Sequence, residues 1–153
     1  MTTQTAKPAR APWWVTFFGP IAKRLLVARV PLGFNGLITI RGRTSGRPRT
    51  IPVAIIVDSS GRRWVWAPWG DVHWVRNLRA AGRATINVRG HTEDVTAIEL
   101  DRSQRVVFFR DTLPPIARRI PFGVTFIRVV DGTDLDDPFG ASEGRPVFEL
   151  LPA

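Results

Sequence analysis

Short apolar runs rich in β-branched residues, each closed by a turn signal, occupy most of residues 37–100 and commit this stretch to antiparallel pairing. Leu37–Arg41 (LITIR) is the first. Thr50–Val57 (TIPVAIIV) is almost unbroken in apolar residues and ends at Asp58-Ser59-Ser60-Gly61. Trp64–Ala67 (WVWA) follows, so the two read as a hairpin. Ala84–Arg89 alternates, with Ala84, Ile86 and Val88 inward and Thr85, Asn87 and Arg89 outward. After Gly90-His91 comes Thr92–Leu100, a second hairpin. Pro52 cannot donate to a ladder and is expected at a strand start, an edge or a bulge.

Helical patterns separate these pairs. Asp71–Gly82 predicts a short helix with Asp71 as N-cap and Gly82 just past its end. Its Trp74, Val75, Leu78 and Ala81 face one way, and His73, Arg76 and Asn77 the other. Ser103–Asp111 predicts a helix carrying Val106, Val107 and Phe109. Pro114, Pro115 and Pro121 are then expected to fragment the chain into a short turn of helix and loops, residues 131–145 to form a long exposed connection, and Pro146–Leu151 to return as a last strand. The order predicts an α+β fold in which about five or six strands curl into a small antiparallel barrel.

Length and composition agree with one globular domain: 153 residues, 44% hydrophobic and 23% charged. Residues 1–12 read as a mobile arm ahead of a single domain over 13–153. Without cysteine, disulfides, thiolate metal sites and a Cys nucleophile are excluded. Two histidines, His73 and His91, make no metal-binding pattern, so no metal is expected. Redox chemistry would have to come from a bound organic cofactor. Prolines 8, 12 and 20 interrupt any signal-peptide order, and a cytoplasmic protein is the expectation.

Charge is strongly asymmetric. Lys7, Arg10, Lys23, Arg24, Arg29, Arg41, Arg43, Arg47 and Arg49 lie in residues 1–50 without a single acid; beyond them thirteen basic and thirteen acidic residues cancel. An anionic partner on that side is implied. Within residues 13–29, Trp14, Phe18, Ile21 and Leu25 share a helical face beside Lys23, Arg24 and Arg29. That segment suits either an end of the core or peripheral contact with an anionic membrane. Nucleic acid is disfavoured, because the arginines gather in one turn rather than interleave with aromatics over a sheet face.

That turn is Gly42-Arg43-Thr44-Ser45-Gly46-Arg47-Pro48-Arg49. Gly46 can take positive φ and Gly42 permits close backbone approach. Consecutive amides, two hydroxyls and three planar guanidinium forks suit one phosphate-bearing ligand, and Pro48 stiffens the loop. A solvated turn that is merely basic is the alternative from composition alone.

Ile38–Pro52 (ITIRGRTSGRPRTIP), Trp64–Pro68 and Trp74–Arg79 (WVRNLR), with the closing Arg145–Leu150 (RPVFEL), resemble the deazaflavin-dependent nitroreductase and quinone reductase family, actinobacterial proteins that use coenzyme F420. The resemblance implies an antiparallel split β-barrel, FMN-binding-like, with flanking short helices. It implies that Arg43, Ser45, Gly46, Pro48 and Arg49 surround the cofactor's phosphate and polyglutamate tail, with Thr44 and Arg47 of the same turn as further candidates. Pro52 would lie near the ring system, and Ala67, Pro68 and Trp69 at the strand end against it. Trp74 and Asn77 would line the pocket from the helix. Thr44 stands where the family usually has lysine, Arg47 where it usually has a neutral residue, and Pro68-Trp69-Gly70 replaces a lysine-bearing segment. Tyrosine, which nitroimidazole-reducing members present to their substrate, is absent throughout.

The implied reaction is hydride transfer from reduced F420 to a small apolar acceptor; Trp13, Trp14, Phe17, Phe18, Trp66 and Trp69 suit a flat one such as a quinone. His73, on that helix, could donate a proton, but a lone surface histidine is usually a solvated one, and no catalytic residue is assigned. The competing reading is a non-catalytic carrier of a deazaflavin, a flavin such as FMN, haem or a lipid. Split barrels of this type are often homodimers, though no feature here forces one.

Overall fold

A computed structural model gives the architecture, and it describes residues 35–130 and 132–153. The arm over 1–12 and the amphipathic segment over 13–29, with Trp13, Trp14, Phe17 and Phe18, lie outside the described residues. Seven strands form one antiparallel sheet: β1 (Gly36–Arg41), β2 (Pro48–Val53), β3 (Ile56–Val57), β4 (Arg63–Trp66), β5 (Arg83–Val88), β6 (His91–Glu99) and β7 (Val147–Pro152). Their order is β2-β1-β5-β6-β7-β4-β3.

The sheet's two edges, β2 and β3, are consecutive in the chain and separated only by Ala54 and Ile55. At about 3.3 Å per residue the edges must therefore approach one another, which curls the sheet into a split barrel. Asn35 fixes this crossing: its side chain accepts from the Ile55 amide and donates to the Ile55 carbonyl, both at 2.6 Å. The apolar run Thr50–Val57 is thus two strands rather than one. β2 pairs with β1 and β3 with β4. Pro52 sits on the edge strand β2, opposite Leu37, where a missing donor costs no ladder bond.

Alternation along the strands feeds two cores. Ile38, Ile40, Val65, Ile86, Val95, Phe148 and Leu150 point into the barrel, joined by Val75 and Leu78 of α1 (His73–Ala81). Trp64, Trp66 and Val147 point to the opposite face. There Phe108, Phe109, Leu113 and Ala117 cover them from a helical layer. The β5–β6 turn uses Arg89 (φ 52°) and Gly90 (φ 84°), both left-handed, as a tight two-residue hairpin requires.

Three expectations need correction. Asp71 does not cap α1. Val72 holds the cap position, and the Asp71 carboxylate is drawn instead to Arg76 (3.0 Å) and Arg79 (2.7 Å). Gly82 does end the helix in the left-handed conformation. The prolines break the chain only around Pro121, between Arg119 and Gly123, and not at Pro114 or Pro115. The helix α2 (Arg102–Val107) passes through a π-turn (Phe108–Thr112) into α3 (Leu113–Arg119), whose first turn holds both prolines. Residues 131–145 contain a short helix, α5 (Pro138–Ser142), after α4 (Gly123–Val130), with Ala141 and Ser142 buried.

Arg63 on β4 reaches Glu93 on β6, with Nη2 donating to Oε1 at 3.0 Å. This bond, ahead of the opposing cost of burial, holds the Glu93 carboxyl below its ordinary value of 4.5. A lowered carboxylate pKa contributes stability that is complete above the ordinary value and is lost as pH falls through the folded one. Glu93→Gln is therefore expected to reduce the loss of stability between about pH 5 and about pH 3, read from urea midpoints.

Candidate functional site

The basic turn closes the β1–β2 hairpin. Gly46 adopts φ 66°, and its amide donates to the Gly42 carbonyl at 2.8 Å; the Gly42 amide donates to Arg47 O at 2.8 Å. A Cβ on Gly42 would come within 2.7 Å of Ser45 Oγ and 3.3 Å of the Arg47 carbonyl oxygen, so the turn folds tightly on itself here. Ser45 Oγ also accepts from the Arg47 amide at 3.3 Å. The cradle of amides is correspondingly smaller than expected: those of Thr44 and Ser45 are left without a partner among the described residues. The guanidinium groups carry the rest.

Seven arginines elsewhere on the protein are neutralised locally, although Arg83, Arg89, Arg105, Arg118 and Arg119 make no ion pair among the described residues. Arg62, Arg63, Arg76, Arg79, Arg102, Arg110 and Arg128 all pair with carboxylates. Around the turn, Arg41, Arg43, Arg47 and Arg49 are exposed and make no such pair among the described residues. Arg41 Nη1 donates to Gly46 O at 3.2 Å and braces the turn. Its position opposite Pro48, at the end of β1, was the available signal for this role.

Arg43 is held by a buried partner. Asn77 Oδ1, on α1, accepts from the Arg43 amide (3.2 Å) and from Arg43 Nη1 (2.8 Å). Asn77 is 6% exposed. The helical pattern placed it on the outer face, whereas it lies under the turn. α1 is itself fixed to β6, because Arg79 donates to both carboxylate oxygens of Glu99 at 2.7 Å. That bond raises the Arg79 pKa.

Trp74 stands one helical turn before Asn77, and side chains at this spacing are neighbours about 5–6 Å apart. It faces a shallow, open cleft. Pro52, Val53 and Ala54 line the cleft from the end of β2; Trp66, Ala67, Pro68 and Trp69 line it from the end of β4; Val72 and Trp74 close it from α1. The Ala67 amide continues the β4–β7 ladder by donating to Pro146 O at 2.9 Å, which holds the cleft's rear wall. Pro52, Ala67, Pro68, Trp69 and Trp74 therefore come together, and Asn77 joins them to Arg43 and its turn. Val53, Ala54, Trp66 and Val72 are the additions. By sequence, Trp66 suits both a strand and a flat acceptor. It is 6% exposed, stacked edge-on against Phe108 and Phe109, and so belongs mainly to the core. Trp74 serves both pocket and core, packing on Phe148 with ring centroids 6.4 Å apart. His73 is exposed and outside the cleft.

No titratable side chain lines this cleft, and no cluster of metal-ligating groups exists among the described residues. The cleft's lining is apolar and aromatic, and the link to the basic turn is the Asn77–Arg43 contact on the same helix as Trp74.

Comparison with known proteins gives the following. No curated protein matches the sequence. The chain is similar in structure to a protein from Bacteroides thetaiotaomicron assigned to 5-nitroimidazole antibiotic resistance (11% identity, 85% of this chain and 79% of that one, TM-score 0.51). It is also similar to an F420-H2 dependent reductase, FDR-A (20% identity, 75% and 91%, TM-score 0.46). A third similar structure is the heme storage protein HutZ from Vibrio cholerae (17% identity, 88% and 89%, TM-score 0.45). At these identities the likeness is one of fold. The model of the F420H(2)-dependent quinone reductase family matches residues 22–115. That is more than half of the chain, and the protein belongs to this family of reductases.

Proposed function

We propose that the protein passes hydride from reduced coenzyme F420 to an apolar acceptor such as a quinone. Arg43, Arg47 and Arg49 would hold the anionic tail of the cofactor, and the Pro52–Trp74 cleft its ring. The observation that carries this reading is the continuity of turn and cleft through one helix: Asn77 grips Arg43, and Trp74, three residues earlier, lines the slot.

When bound, the cofactor supplies a hydride from its ring carbon. The chain's own contribution is to bind, orient and dry the site. The guanidinium forks and the free Thr44 and Ser45 amides fix the tail, with Thr44 and Ser45 hydroxyls as further donors. Pro52 and Pro68 are rigid walls, and Trp69 and Trp74 offer flat apolar surface against which a planar acceptor can be held near the reacting carbon. Reduction of a quinone to its quinol consumes that hydride and one proton. With no acid in the cleft among the described residues, the proton comes from solvent at its mouth.

His73→Gln is accordingly expected to leave kcat within about twofold of the parent, whereas loss of a general acid would cost about a hundredfold or more. A steady-state assay across pH reads this directly.

The function itself is tested by titrating the protein with oxidised F420, FMN and haem in parallel, then offering reduced F420 a quinone such as menadione. Micromolar F420 binding with quinone-dependent oxidation is the expected result. Binding without oxidation would leave a carrier, and preference for FMN or haem would overturn the cofactor assignment.

A further inference from the structure

At the corner between α3 and α4, far in sequence from the basic turn, the chain exposes a strained aromatic residue. Phe122 has φ 60°, a left-handed conformation that bulky residues rarely adopt, and it is 85% exposed. The corner is tight because α4 is pressed against the end of α3. A Cβ on Gly123 would lie 2.4 Å from the Ala117 carbonyl oxygen, and the Gly123 amide donates to Ile120 O at 2.9 Å. Phe122 begins α4, its carbonyl accepting from the Phe126 amide at 2.8 Å.

Helix α4 is apolar on two faces. Ile127 points inward at 7% exposure and packs in the second core. Phe122, Phe126 and Val129, at offsets of four and three, share the outer face with exposures of 85%, 36% and 74%. Ile120, 53% exposed, continues that surface. A surface helix normally turns a polar face to water, so this one is matched to an apolar environment. Within the segment itself the charges are of one sign, the acids beginning just after it at Asp131, Asp134, Asp136 and Asp137. Residues 113–130 contain Arg118, Arg119 and Arg128 and no acid. Arg128 is paired with Asp134 (3.3 Å) and Asp136 (2.8 Å), whereas the exposed Arg118 and Arg119, in the last turn of α3, make no ion pair among the described residues.

We propose that this corner docks the protein on an anionic lipid bilayer, with Phe122 and Val129 entering the interface and Arg118 and Arg119 meeting the headgroups. Apolar residues beside cations are the combination that interfacial helices use. A second copy of the chain is the weaker occupant. A twofold contact through this patch would bring Arg118 and Arg119 towards their own copies, and the acids that follow α4, Asp134 and Asp136, are already engaged by Arg128. The proposal stands apart from the cofactor reading, since docking needs neither cofactor nor acceptor.

The experiment is sedimentation of the full chain with phosphatidylcholine vesicles, with and without phosphatidylglycerol, in the absence of cofactor. Phe122→Gly removes the ring and relieves the left-handed strain, so its thermal midpoint should equal or exceed the parent's while the partition coefficient falls about tenfold. Arg118→Gln and Arg119→Gln should each cost about fivefold on phosphatidylglycerol vesicles and nothing on pure phosphatidylcholine. Absence of binding by the parent, or parent-level binding by Phe122→Gly, overturns the proposal. So does a concentration-dependent dimer, seen by light scattering and abolished by Phe122→Gly without vesicle binding, which would assign the patch to self-association.

Discussion

Replacing Arg47 and Arg49 together with alanine is expected to weaken F420 binding by about a hundred- to a thousandfold while leaving the thermal midpoint essentially unchanged. Neither side chain has a partner among the described residues that folding would lose. A charge-assisted hydrogen bond contributes about 1.5–3 kcal/mol, and two lost together give the quoted range once partial compensation by neighbours is allowed. Removing two of four clustered, unneutralised cations also relieves repulsion within the turn, so stability has no reason to fall. Fluorescence titration of the cofactor, beside a melt of the same samples, separates affinity from folding. An unchanged dissociation constant in the double variant would remove the basis for placing the anionic tail at this turn.

Arg43 should behave differently from its two neighbours. Its guanidinium and amide both rest on Asn77 Oδ1, so Asn77→Ala is expected to lose affinity without removing any charge. A loss of about tenfold, with the salt dependence of binding retained, would show that α1 holds a cation in place.

The parts of this molecule that were legible in the sequence are those governed by local rules. Strand alternation in Ala84–Val88, the left-handed Gly82 and the edge position of Pro52 each follow from one residue's own stereochemistry. So does the basic hairpin turn, whose glycines and arginines are adjacent in the chain. The unread parts depend on contacts between distant segments. Nothing in TIPVAIIV marks Ala54-Ile55 as the crossing between sheet edges; the clamp is Asn35, twenty residues upstream. Asn77 looks outward on a helical wheel because its partner is thirty-four residues away. The prolines misled for a different reason: a π-turn ahead of Leu113 resets the helix, so Pro114 and Pro115 occupy a first turn, where a missing amide is harmless.

That π-turn also sets the largest stability effect. In a regular α-helix consecutive residues point about 100° apart, and two neighbouring aromatics are not normally both buried. Here Phe108 and Phe109 are 2% and 0% exposed, with their rings edge-to-face at 5.1 Å. Phe109 also meets Trp66 edge-on at 6.1 Å. Phe109→Ala should therefore cost about 3–5 kcal/mol, or on the order of 10 °C in the thermal midpoint for a chain of this size. Because Trp66 reaches both this core and the cleft, the same cavity should loosen one wall of the ring site. At a temperature where the variant remains folded, cofactor affinity is expected to fall severalfold with its salt dependence unaltered, since the guanidinium groups of the turn are untouched. Phe109→Leu, which refills most of the volume, should recover most of both losses. Recovery of stability without recovery of affinity would mean that Trp66 senses the ring edge of Phe109 rather than the packing around it.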